Sequence, residues 1–113
     1  MPTRCAAAAV AFPIANETTK RLYSKAERRE GTRERAKEGD AFQHCFWSGM
    51  ITLAVGASRA ENVTSAFEAI GDANRPEFRE YDMDNNKRGR EFAQPLGGNP
   101  AGALAVQQYC SRT

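Results

Sequence analysis

Histidine occurs once in this 113-residue chain, at position 44, inside the apolar stretch Ala41 to Val55. Asp40 lies one helical turn before it, and Trp47 and Ser48 lie one turn after. An imidazole that titrates near neutrality is the commonest general base. The same residue also reads as a core histidine held by one carboxylate or carbonyl, because an unsatisfied buried polar group costs about 1–3 kcal/mol.

The second concentration of chemistry-bearing residues is Tyr81-Asp82-Met83-Asp84-Asn85-Asn86-Lys87-Arg88-Gly89-Arg90. On a helix, Asp82, Asn86 and Gly89/Arg90 share one face. A stacked Asp, Asn and Arg beside an apolar helix that carries histidine is how a polar site is built. Gly89 within that helix costs about 1 kcal/mol against alanine, which asks for a reason such as close helix contact. Glu68, in Ser65-Ala66-Phe67-Glu68, is the third candidate.

Such a set could run hydrolysis of a phosphoester. His44 would serve as base, with Asp82 or Glu68 orienting it. Alternatively, Glu68 and Asp82 would hold a hard divalent ion, with Asn86 supplying an amide oxygen. Arg90 would bind a phosphate or carboxylate in a fork. A calcium loop is excluded, since Lys87 stands where its glycine belongs and Ala93 where its bidentate glutamate belongs. A cysteine nucleophile is disfavoured, because Cys45 adjoins His44 and helical neighbours point about 100° apart.

The elements that must position these residues read as helices. β-Branched residues are scattered, while alanine, arginine and glutamate dominate. The pattern predicts a helix from Arg4 to Phe12 ended by Pro13, and a second from Glu17 to Arg29 capped by Asn16. Gly31 to Gly39 reads as a connector. Asp40 caps a central helix, Ala41 to Val55, apolar on more than one face and closed by Gly56. Ser58 and Glu61 form a capping box for Arg59 to Ile70. A turn at Gly71–Pro76 leads to a helix from Glu77 to Phe92. A loop over Gln94–Pro100 precedes a last short helix, Ala101 to Tyr109. The expected fold is all-α: one compact domain over residues 1–113, a bundle of five to six helices, with a motif-bearing core at about 40–93.

Composition narrows the function. Sixteen Lys+Arg against 14 Asp+Glu give a net charge of +2, which argues against a dedicated nucleic-acid binder. Basic residues gather between Lys20 and Lys37, but their signs are mixed, with eight Lys/Arg against five Glu over Glu17–Glu38. That pattern reads as a solvated helix face. The longest apolar run, Cys5 to Ala15, spans 11 residues against the roughly 20 of a transmembrane helix, so no integral membrane segment is expected. Arg4 before the alanine-rich stretch is no clear signal peptide, since Pro13 interrupts it and no clean cleavage site follows. The start fits a chain cut from a longer precursor or secreted by another route.

Cys5, Cys45 and Cys110 match no zinc spacing. Three disulfide pairings are open, as is the reading that all three are buried small hydrophobes. Cys5 with Cys110 would tie the two ends of the chain together and would imply an oxidising compartment.

Three segments taken together resemble an uncharacterised bacterial family found in wall-associated proteins and at the C-termini of polymorphic-toxin-like proteins. They are Asp40-Ala41-Phe42-Gln43-His44-x-x-Trp47, then Ala66-Phe67-Glu68, then Asp82-x-x-Asn85-Asn86-x-x-Gly89-Arg90. The family pattern reads approximately Asn/Asp-Ala-Phe-Arg-His-x-x-Trp, Ala-His-Glu and Met-Asp-x-x-Asn-Asn-x-x-Gly-Arg. The chain departs from it at Gln43, at Phe67 in place of histidine, and at Tyr81. The resemblance implies His44, Asp82, Glu68, Asn86 and Arg90 as the catalytic set, with Trp47 and Asn85 on the substrate side. Glu68 and Asp82 are the candidate ligands of a divalent metal ion. It also implies a secreted or delivered toxin-like effector with a cognate immunity protein as partner; the chemistry of the residues adds hydrolysis of a phosphoester in a lipid, envelope precursor or nucleic acid. The alternative is a non-enzymatic structural or binding module in which the same residues form a buried polar network.

Overall fold

A computed structural model describes residues 4–23, 38–71 and 76–111. The chain is all-α, as expected: α1 (Arg4–Leu22), α2 (Glu38–Val55), α3 (Ala57–Gly71), α4 (Pro76–Ala93), a 3₁₀ turn (Gln94–Leu96) and α5 (Gly102–Ser111). Among the described residues there is no strand, and no helix is long and apolar enough to cross a membrane.

Helix α2 is the axis of the bundle and touches all four other helices. It earns that position because Phe42, Cys45, Phe46, Trp47, Ile51 and Val55 are buried around most of its circumference. Gly56, with φ of 92°, ends it in the left-handed conformation that glycine adopts without steric penalty. The Gly56 carbonyl then accepts the Ala60 N–H at 3.0 Å, so Gly56 itself begins α3. Ser58 therefore lies inside the first turn rather than capping it, which corrects the capping-box expectation. Asp40 likewise sits in the first turn of α2, two residues after Glu38; both carboxylates favour that end of the helix dipole.

The expected break at Pro13 does not occur. Proline removes the hydrogen bond to the carbonyl four residues back, yet α1 continues through it to Leu22. Ala9 and Pro13 are both exposed, so the carbonyl left over faces solvent. On the opposite side Ala8, Ala11, Ala15, Thr18 and Thr19 form one unbroken buried stripe. Burial of that stripe across both halves overrides the local breaker. Asn16 is consequently an interior residue and not a cap. The expected extension to Arg29, the connector over 31–37, most of the basic cluster and the turn residues 72–75 lie outside the described residues.

Helices α2 and α5 run antiparallel in a fixed register, one turn at a time. Cys45 is disulfide-bonded to Cys110. A methyl on Gly49 would meet the Val106 side chain, and one on Gly102 would lie 3.1 Å from Leu53. The pairs 45/110, 49/106 and 53/102 step by four along both helices. The cross-link thus joins α5 to the central helix and does not join the chain ends, as a Cys5–Cys110 pair would have done.

Candidate active site

Helix α4 approaches α2 most closely at Gly89, where an added methyl would overlap the Cys45 carbonyl. Two backbones this near leave no space between them for long side chains. One residue before Cys45 and about two turns before Gly89, His44 and Asp82 come together: His44 Nε2 lies 3.4 Å from Asp82 Oδ1. The glycine at 89 is what brings the polar face of α4 to the histidine of α2.

Helix α3 supplies the other side. Glu68 Oε1 lies 3.0 Å from His44 Nδ1, so the imidazole has a carboxylate oxygen at each ring nitrogen. Asn86, one turn beyond Asp82, donates from Nδ2 to the same Glu68 Oε1 at 3.3 Å. Three helices therefore converge on one cluster, His44–Glu68–Asp82–Asn86. The carboxylates are deeply buried, with side chains 5% and 1% exposed for Glu68 and Asp82, whereas the His44 side chain is 22% exposed. Histidine is the member that solvent reaches. One ligand atom from each of His44, Glu68 and Asp82 can be chosen so that all three lie within 4.8 Å of one another, a grouping that could hold a metal ion.

Arg90 stands apart from this cluster, paired with Glu61 at 3.5 Å across the α3–α4 seam. It lines a cleft of about 150 Å³ together with Glu61, Thr64, Ser65, Asp84, Asn86 and Lys87. Asn86 is shared by cleft and cluster, so the two are contiguous. Lys87 lies in the Tyr81–Arg90 segment and Ser65 near Glu68, but the sequence marks none of Thr64, Ser65 and Lys87 as a site residue. Their positions follow only once α3 and α4 are known to pack face to face.

Asn85 belongs to a different seam. Its Nδ2 donates to the Tyr81 carbonyl at 3.0 Å, and its Oδ1 accepts from Arg88 at 3.2 Å. Arg88 in turn lies over the Tyr109 ring, which stacks on Phe92 at 4.2 Å. The 100° step between neighbouring helical residues separates Asn85 from Asn86.

Trp47 is 5% exposed, and its Nε1–H donates to the Ala8 carbonyl at 3.3 Å. Its ring supports the cluster from beneath, edge-to-face with His44 at 6.5 Å. Phe67 and Phe12 also pack edge-to-face on Trp47, at 5.7 and 6.4 Å, and each is about half exposed. The position where the resembled family has histidine is thus occupied by an aromatic ring on the rim of the site, against Trp47.

The profile of a domain of unknown function, DUF6973, matches residues 2–109. No curated protein and no solved structure matches the chain.

Proposed function

The chain belongs to the DUF6973 domain family, and from its site we propose a hydrolase of phosphoester substrates acting as a bacterial toxin-like effector. The single observation that carries this reading is the state of His44. It is the solvent-facing member of a set whose carboxylates are buried, with one carboxylate at each nitrogen. A histidine serving only to fill the core would have no need of two acidic partners. For His44 to take a proton from attacking water, one nitrogen must turn from its carboxylate to the water, while the carboxylate at the other orients the ring and stabilises the charge it gains.

The α3–α4 cleft supports a substrate with an anionic group. Arg90 and Lys87 line it beside Glu61 and Asp84, and the guanidinium fork matches phosphate oxygens once an anion displaces exposed Glu61 from it. Asn86, between cleft and cluster, would set the distance from the bound phosphate to His44. The disulfide between Cys45 and Cys110 fits an oxidising compartment, as a secreted or delivered effector would meet. A cognate immunity protein would cover the same cleft in the producing cell.

The runner-up is a structural module in which His44, Glu68, Asp82 and Asn86 only fix the packing of α2, α3 and α4. The burial of three of the four favours it. Growth of a bacterial host separates the two. The chain is expressed in the cytoplasm and, separately, exported to the periplasm, each beside His44→Ala. Killing in one compartment that disappears with His44→Ala, at equal expression and helical content, is the expected result. Absence of killing in both compartments would favour the packing role.

A further inference from the structure

We propose that His44, Glu68 and Asp82 together bind one divalent transition-metal ion of the manganese-to-zinc series. This deepens the hydrolase reading, and the catalytic meaning of the ion rests on that reading. The ion would polarise the attacking water that His44 would otherwise have to deprotonate.

Three observations lead here. First, one nitrogen of His44 and one carboxylate oxygen each of Glu68 and Asp82 lie within 4.8 Å of one another. Ligand atoms around a tetrahedral zinc stand about 3.3 Å apart, given bonds of roughly 2.0 Å, so closing the set around one imidazole nitrogen draws these atoms in by up to about 1.5 Å. Second, the charges match: two carboxylates and a neutral imidazole balance a divalent cation. The same three residues with an imidazolium retain one net negative charge.

Third, Asn86 is 2% exposed, and its Oδ1 has no hydrogen-bond partner among the described residues while its Nδ2 faces Glu68 Oε1. Turning the amide over would bring the oxygen to the side where the carboxylate and imidazole meet, as a fourth donor.

Donor chemistry selects the ion. One imidazole, two carboxylates and an amide oxygen suit borderline Zn²⁺, or the harder Mn²⁺ with water completing its shell, better than Ca²⁺, which takes six to eight oxygens. The adjacent Cys45 offers no thiolate, since it is held in the disulfide.

The test is calorimetric titration of Zn²⁺ and of Mn²⁺ into the full disulfide-bonded chain after treatment with chelator. One ion per chain is expected, with at least tenfold weaker binding for each of Glu68→Gln and Asp82→Asn. Because His44 is the sole histidine, its ring proton resonances identify themselves. Equimolar Mn²⁺ is expected to broaden them beyond detection, a readout that needs no variant to fold. Sharp His44 resonances with Mn²⁺, or unchanged affinity in both variants, would overturn the proposal. Hydrolysis that persists in chelator without ion binding would remove the ion and leave the hydrolase. Ion binding with no hydrolysis would do the reverse.

Discussion

Gly89 of α4 lies against the carbonyl of Cys45 in α2 so closely that a single methyl does not fit between them. The His44–Asp82 contact depends on this approach, because His44 adjoins Cys45 on α2 and Asp82 lies two turns before Gly89 on α4. Gly89→Ala is expected to destabilise the fold by about 1–3 kcal/mol through overpacking, against the roughly 1 kcal/mol that alanine gains in an unconstrained helix. Thermal melts check the direction. A variant with an unchanged or higher Tm would show that the helices can part at no cost.

The Cys45–Cys110 cross-link closes a loop of 65 residues in sequence separation. On the chain-entropy model such a loop stabilises by about 4 kcal/mol. The paired substitution Cys45→Ala/Cys110→Ala is expected to lower the urea midpoint accordingly while keeping the helical spectrum. It also loosens α5 from the Gly49–Val106 contact, so amide exchange should rise first along α5.

Asp82 is among the most deeply buried residues, with Nε2 of His44 at 3.4 Å. Asp82→Ala leaves the imidazole without its α4 partner and is expected to cost about 3–5 kcal/mol, the range for breaking a buried charged pair. Asp82→Asn keeps the shape and should cost less. A packing-only network predicts that both lose stability without any change in chemistry. A working site predicts that the asparagine variant folds and is inert.

Phe67 is 49% exposed and contacts the Trp47 ring edge-to-face. Phe67→His gives up an aromatic pair worth about 0.5–1.5 kcal/mol and little buried area. The fold should survive with a Tm lowered by a few degrees. With histidine beside Glu68, matching the resembled pattern, any hydrolytic rate should rise; an unchanged rate would mean that position 67 takes no part.

Much of this arrangement was legible in the sequence, and the failures have physical causes. The Asp82–Asn86 face followed from a four-residue spacing, and the need for a close contact at Gly89 followed from the cost of glycine in a helix. Both survive in the structure because helical periodicity is a local property. Pro13 and Asn16 are local stop and start signals, and the buried alanine and threonine stripe that runs past them overrides both. Ser58 misled because Gly56 serves as the end of one helix and the start of the next. The partner of Cys110 was beyond reach, since pairing depends on α5 lying antiparallel on α2. The cleft residues Thr64, Ser65 and Lys87 are commonplace surface types until α3 and α4 meet.

Whether His44 performs chemistry is read most directly from hydrolysis of a chromogenic phosphodiester by the purified, disulfide-bonded chain beside His44→Gln. Both proteins are compared at equal helical content and below their melting temperatures. Loss of at least a hundredfold in rate, with Tm held within a few degrees, is the predicted result. Equal rates in the two proteins, or no turnover by the parent together with a large fall in Tm for the variant, would contradict it and make the cluster a device for packing three helices.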